Sequence, residues 1–290
     1  MTADVTARID PENFLDALLP VVRQCAEASL IFYGNVADLG KAADTTLRGS
    51  QAQLASSVLT AVDTALQDII LTVVLQHFPQ VRCIAEEDTP LKRRFRGSRD
   101  ADYTVILDPI DGTLHYQRGD ASYHICVGLA QDGIMQAALV ARPDENKIFT
   151  AIRDQGAYVQ VGRRRPRRLR LPKTPRTNAA FISTKARIYQ EPARPRLDPS
   201  ESPIGAALVL TLLAEGDLCA YLTRQVEMYD VGPPSLIAEE AGARCFLKGG
   251  RSPLYRQRRK FGHYMAAATP DLEAFLLDVV RIGDRGENQL

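Results

Sequence analysis

Nothing in this chain restricts its fold more than Asp108-Pro109-Ile110-Asp111-Gly112-Thr113, which follows the apolar run Tyr103-Thr104-Val105-Ile106-Leu107. Those five β-prone residues, bounded by polar sequence, read as a short buried strand. Two carboxylates three residues apart at the end of such a strand can converge on one point. Pro109 stiffens the turn between them, and Gly112 permits a backbone conformation that other residues resist. Two Asp side chains and a backbone carbonyl are hard oxygen donors, a set that suits Mg²⁺ rather than zinc or copper. A helix starting near Gly112-Thr113 aims free N–H groups at an anion, so metal and phosphate can sit side by side. Taken alone, an Asp-Pro turn with Asp111 capping a helix reads equally well. The acidic residues elsewhere in the chain decide between the two.

The flanking periodicities supply the scaffold. Apolar residues recur at helical spacing from Asp10-Pro11 to about Tyr33 (Phe14, Leu18, Val22) and from about Ser50 to His77 (Leu54, Val58, Leu66, Ile70), and Pro79 ends the second run. Between them, 34–49 is polar and holds Asp38, Lys41 and Asp44. Gln80–Ala85 reads as a strand that delivers Glu86-Glu87-Asp88. A short helix ends near Gly119, and 123–130 with 134–142 form a hairpin around Gln131-Asp132-Gly133. Strands at 147–152 and 157–161 make a second pair. The first half is thus two helices on a largely antiparallel sheet. The second half alternates: strand 179–184, a Pro- and Arg-rich loop over 185–203, helix 204–214, strand 218–222 and helix 234–241. Strands 243–247 and 264–268 follow, then a last helix 271–280. That alternation predicts a smaller second sheet with helices on its faces. The fold class expected is α/β (α+β), a layered αβαβα sandwich, divided into a metal- and phosphate-binding half (1–172) and a specificity half (173–290).

Composition excludes several classes. With 45% hydrophobic and 24% charged residues, the 290-residue chain reads as a soluble globular protein with a sizeable core. A formal charge of +1 gives no global field toward nucleic acid or membrane. No early signal-type run and no eighteen-residue uncharged stretch is present, so no membrane partner is expected. The five cysteines are odd in number, widely spaced and without a Cys-x-x-Cys pair, as expected of reduced core residues in a cytoplasmic protein. Arg163-Arg164-Arg165-Pro166-Arg167-Arg168-Leu169-Arg170 is the one local charge anomaly. No aromatic residues interleave the arginines, so it reads as a solvated hairpin tip at a sheet edge rather than a nucleic-acid surface.

Glu86, Asp108, Asp111 and Asp230 fall at strand ends or helix starts. A carboxylate cluster without basic neighbours repels itself unless cations bind. With these residues in place, the chain resembles the inositol monophosphatase family of lithium-sensitive, Mg²⁺-dependent phosphatases. The resemblance is carried by Ile84-Ala-Glu-Glu87, Ile106-Leu-Asp-Pro-Ile-Asp-Gly-Thr113, Asp154-Gln-Gly-Ala-Tyr158, Tyr229-Asp-Val-Gly232 and Glu239-Glu-Ala-Gly242, and it covers nearly the whole chain.

The resemblance implies that Glu86, Asp108 and the Ile110 carbonyl hold a first Mg²⁺, and that Asp108, Asp111 and Asp230 hold a second. A third, weaker metal near Glu86 is usual in the family. Gly112 and Thr113 would meet the phosphate through backbone N–H groups. The Thr113 hydroxyl, paired with an aspartate of the second helix, would activate the attacking water. Asp63 is the better placed of the two candidates for that aspartate and Asp44 the other. The family also implies a small phosphomonoester substrate, inositol monophosphate first, a homodimer and lithium sensitivity. Fructose-1,6-bisphosphatase, histidinol-phosphatase and 3′-phosphonucleotide phosphatase activities are alternatives within the same chemistry, and a non-catalytic binding protein is the alternative of another class. The chain departs from the family pattern at Lys41, Leu114-His115-Tyr116 and Tyr229, and it has Thr223 where inositol-selective members carry an acidic residue. Thr223 and Asp230 are accordingly expected to face the alcohol portion of the substrate.

Overall fold

The structure is a computed structural model that describes residues 8–34, 51–95, 102–119, 122–200, 205–257 and 260–287, with the side chains of 51–60 and 286–287 left aside. Asp38, Lys41 and Asp44 therefore lie outside the described residues, as do Leu54 and Val58 as side chains.

Helix α1 (Pro11–Ser29) starts where Asp10 accepts the Glu12 N–H at 3.0 Å and Pro11 fills the first turn. Helix α2 (Gln51–His77) lies beside it. Seven strands form the first sheet in chain order: β1 (Arg82–Ala85), β2 (Tyr103–Asp111), β3 (His124–Gln131), β4 (Ile134–Arg142), β5 (Lys147–Ile152), β6 (Gly156–Val161) and β7 (Arg167–Leu169). Only the β1–β2 pair is parallel. Helix α3 (Thr113–Arg118) sits between β2 and β3.

The second sheet has five strands in the order β11-β12-β10-β8-β9, from β8 (Ala179–Ile182), β9 (Asp198–Ser200), β10 (Ala220–Glu227), β11 (Arg244–Leu247) and β12 (Lys260–Ala267). Its helices are α4 (Gln190–Ala193), α5 (Ala206–Glu215), α6 (Met228–Ala241) and α7 (Pro270–Glu287). Three apolar clusters show the layering. Phe14, Leu18 and Val22 of α1 join Ile70, Leu71 and Val74 of α2 against one face of the first sheet. Helices α5 and α6 fill the space between the two sheets. Helix α7 and the 184–193 segment cover the far face of the second sheet. The expected αβαβα sandwich is the observed one.

Several boundaries differ from the expected ones, β10 running on to Glu227, β12 starting at Lys260 and α7 continuing to Glu287 among them. Helix α6 starts at Met228, six residues before Pro234, and carries Pro233 and Pro234 inside it. Burial between two sheets overrides the local cost of those prolines, which remove two intrahelical donors. The 185–203 stretch is not plain loop: it holds a 3₁₀ turn at Thr184–Tyr189, then α4 and β9. Strand β2 does not stop at Leu107 but runs through Pro109 to Asp111. The arginine-rich segment is the β6–β7 hairpin tip at the sheet edge, and Arg163, Arg164, Arg165, Arg167 and Arg168 are all exposed. No described helix is long and apolar enough to cross a membrane.

Candidate metal centre

All nine residues of β2 are buried, so its two carboxylates are carried into the interior by the strand itself. In a regular strand, residues three apart point to opposite faces. Here the β2–β3 register shifts by one residue between Asp108↔Cys126 and Asp111↔His124. Pro109 lies in that irregularity and offers no ladder donor. The extra residue turns Asp108 and Asp111 to the same side. The bend is held by the Ile110 N–H, which donates to Asp108 Oδ1 at 3.0 Å. Gly112 follows at φ 92°, the left-handed conformation that starts α3. The third carboxylate comes from the first turn of α6. Asp108, Asp111 and Asp230 each offer an oxygen within 4.8 Å of the others.

Glu86 is placed by a clamp between β1 and α2. The Gln67 side chain bonds the backbone of Glu87 twice, donating to its carbonyl and accepting its N–H, each at 3.0 Å. The Lys92 ammonium donates to the carbonyls of Ala85 (2.7 Å) and Glu87 (2.8 Å). Glu86 between them hydrogen-bonds Asp108 through its side chain. One turn before Gln67 on α2 is Asp63, only 3% exposed. Its Oδ1 is buried with no hydrogen-bond partner. The Thr113 hydroxyl donates to the Ile110 carbonyl at 3.0 Å, so the two groups that the resemblance assigns to water activation and to a metal satisfy one another.

Helix α5 approaches from the opposite side. Its Ala207 N–H donates to Asp111 Oδ2 at 2.8 Å, inside the core. That contact could not be read from the motif, because it joins residues far apart in sequence. Tyr116 and Tyr123 anchor α3 beneath the site through Ser29 of α1, with Tyr116 donating to the Ser29 carbonyl at 2.7 Å.

The electrostatics are those of crowded acids. Burial, reinforced by Glu86, Asp111 and Asp230, holds Asp108 well above the ordinary carboxylate range. Asp230 is raised by burial and by Asp111 and Glu86. Asp111 is pushed by burial only to about 7, because the Ala207 N–H favours its ionised form. Asp63 rises to about 8 through burial and the charges of Glu86 and Glu87. Among the described residues, no lysine or arginine forms an ion pair with Asp63, Asp108, Asp111 or Asp230. An all-oxygen cluster of this kind, with one buried carboxylate oxygen left unpartnered, fits a hard divalent cation such as Mg²⁺.

The cluster opens into a cavity of about 380 Å³ lined by Gly112, Thr113, Lys185, Tyr221, Thr223 and Asp230, among others. Thr223 lies on its wall, 4% exposed. Its hydroxyl is 2.8 Å from that of Ser183. Sequence reasoning found every carboxylate described above but not Ser183, Tyr221 or the start of α5.

The model of the inositol monophosphatase family matches residues 21–281. The Nus factor SuhB of Pasteurella multocida is 28% identical over 231 residues, covering 77% of this chain and 81% of its own. An inositol-1-monophosphatase of Mycobacterium bovis is 28% identical over 212 residues, covering 67% and 70%. Among solved structures, the IMPase of Thermotoga maritima superposes with a TM-score of 0.73 at 18% identity, covering 94% of this chain and 99% of that one. That likeness is one of fold. With a family model matched over most of its length and a carboxylate cluster where β2 and α6 meet, the chain belongs to the inositol monophosphatase family.

Proposed function

We propose that this protein is a Mg²⁺-dependent phosphomonoesterase acting on a small phosphorylated alcohol, inositol monophosphate foremost. The observation that carries the reading is the convergence of Asp108, Asp111 and Asp230 within 4.8 Å, with Asp111 and Asp230 lining an open cavity. In this reading Glu86, Asp108 and the Ile110 carbonyl hold one Mg²⁺, Asp108, Asp111 and Asp230 a second, and Glu86 borders a weaker third. When bound, the metal supplies a water of lowered pKa and neutralises phosphoryl charge.

The chain's own groups do the rest. The first-turn N–H groups at Gly112 and Thr113 orient the phosphate. The Thr113 hydroxyl and the Asp63 carboxylate hold the water's proton. Asp63 is suited to accept it, since its buried Oδ1 has no hydrogen-bond partner. Thr223, with Asp230 beside it, borders the alcohol. Residues 1–172 thereby bind metal and phosphate, and 173–290 contribute Asp230 and selectivity. A cytoplasmic location accords with five unpaired cysteines. Homodimerisation and lithium inhibition belong to the same reading on family membership alone.

Thr223 is neutral, which favours a second reading in which another small phosphate ester of the same superfamily is preferred. The Nus factor name of one relative raises a non-catalytic role, but retention of all the carboxylates supports hydrolysis. Phosphate release with and without Mg²⁺, over a panel of phosphate esters, tests the reading. Release should require Mg²⁺ and be lost in Asp108→Asn and Asp111→Asn, each of which removes an ionised oxygen. Near wild-type turnover in either folded variant would overturn the metal assignment.

A further inference from the structure

Outside the carboxylate cluster, the described residues hold a second buried polar assembly, centred on Arg142 at the end of β4. The side chain is 1% exposed. Its guanidinium is used on every edge. Nε donates to His124 Nε2 at 3.1 Å, Nη2 to Thr211 Oγ1 at 2.6 Å, and Nη1 to Glu145 at 3.0 Å and Glu215 at 3.3 Å. Lys147 closes the same group by reaching Glu215 at 3.0 Å and Glu145 at 2.7 Å. A buried ion network is poor evidence for stability as such, because desolvation opposes the attraction. Its use is found in what it holds.

Two of the contacts lead to Asp111. His124 is the cross-strand neighbour of Asp111 in the β2–β3 ladder. Thr211 lies one turn into α5, with its hydroxyl 2.9 Å from the Ala207 carbonyl. The N–H of that same Ala207 holds Asp111 Oδ2 at 2.8 Å. Arg142 therefore grips both walls of the Asp111 site: the strand beside the carboxylate and the helix whose first turn binds it. Arginine suits the position, since a single lysine ammonium cannot spread donors to strand and helix together.

We propose that Arg142 and Thr211 are positioning residues that fix the start of α5 and, through it, the direction of the Asp111 carboxylate. The inference rests on the proposed metal centre. It concerns metal affinity rather than any group touching substrate. Partners that orient metal-binding groups commonly contribute ten- to a hundredfold in affinity.

Calorimetric titration with Mg²⁺ and with Mn²⁺ reads this directly. Thr211→Val keeps the shape and removes the hydroxyl; Arg142→Lys keeps the charge and removes the fork. Both should weaken metal binding by about ten- to a hundredfold, while Thr211→Ser restores it. Val280→Ala, in α7 on the far side of the second sheet, provides a destabilised control that should bind metal like the wild type. The inference falls if Thr211→Val and Arg142→Lys melt lower yet bind within twofold of wild type. It also falls if Thr211→Ser is as weak as Thr211→Val, or if Val280→Ala weakens binding equally. Should Thr211→Val fail to fold, Arg142→Lys decides. A wild type that binds no divalent ion overturns the metal centre and this inference together. A wild type that binds metal and releases no phosphate, with affinity still dependent on Thr211, overturns only the proposed activity.

Discussion

Replacing Gly205 with alanine sets one methyl group against the Asp111 carboxylate and is expected to weaken both metal binding and the fold. Gly205 caps α5 at φ −62°, ψ 150°, a conformation open to any residue, so backbone strain is not the cause. A Cβ built there overlaps Asp111 Oδ2 and stands 2.9 Å from Cγ and 3.2 Å from Oδ1. The carboxylate is 7% exposed and has little room to retreat. Relief requires an off-rotamer turn of Asp111, about 0.5–1.5 kcal/mol, and loss of the charged hydrogen bond from Ala207, about 1.5–3 kcal/mol. A combined penalty of about 2–4 kcal/mol corresponds to a roughly thirty- to several-hundredfold loss of Mg²⁺ affinity. The measurements are calorimetric Mg²⁺ binding, the Mg²⁺ dependence of phosphate release and thermal denaturation in chelator. The same contact strains the metal-free chain, so its melting temperature should fall as well, by roughly 2–4 °C for each kcal/mol of the penalty. Mg²⁺ affinity within threefold of wild type in Gly205→Ala would refute the reasoning.

Other perturbations read other parts of the molecule. Asp63 at about 8 and Asp111 at about 7 both titrate above the ordinary carboxylate value of 3.8. The folded chain thus keeps protons that the unfolded chain releases, and metal-free stability should fall as pH rises from about 4 to about 8. Mg²⁺ competes with those protons, so its affinity should climb over the same interval; a metal-free melting temperature that rises with pH would contradict this. Replacing Arg163, Arg164, Arg165, Arg167 and Arg168 by glutamine should leave turnover on a small ester nearly unchanged, given their exposed place at a sheet edge. A collapse of turnover in the folded variant would show that they reach substrate or a subunit contact. Thr223→Glu should raise the ratio of inositol phosphate to alkyl phosphate turnover by roughly tenfold, the scale of one charged hydrogen bond, and a flat ratio would remove Thr223 from the alcohol site.

How much of this was legible in the sequence depends on whether the deciding interactions are local. Strands β3 and β4 run within a residue of the expected spans because two apolar runs flank an Asp-Gly turn that specifies them locally. Helix α3 ends at Gly119, where a left-handed residue was needed. Helix α6 defeated the same reasoning. Pro233 and Pro234 argue locally for a helix start, whereas burial between two sheets extends the helix back to Met228 and puts Asp230 in its first turn. The Pro- and Arg-rich sequence after Ser183 has no periodicity to mark the 3₁₀ turn at Thr184–Tyr189, whose buried Ala186 and Tyr189 pack with α7 on the second sheet.

The site divides along the same line. Asp108 and Asp111 were legible because a strand, a proline and a glycine within a few residues dictate where they point. The groups that hold Asp111 were not. Ala207 meets it across 96 positions, and nothing in Gly205-Ala206-Ala207 distinguishes a helix start that binds a carboxylate from one that binds water. One signal was present: Arg142 ends the apolar run Ala137-Ala138-Leu139-Val140-Ala141, and a charge at the end of such a buried run must find partners inside. Two of those partners, Thr211 and Glu215, recur one turn apart on α5, a spacing that lets a single guanidinium bind a helix along its axis while its Nε reaches the neighbouring strand. The Asp111 carboxylate of the proposed metal centre is therefore oriented in two tiers. A short motif brings the carboxylate to the site, and a buried cation remote in sequence sets the helix that aims it.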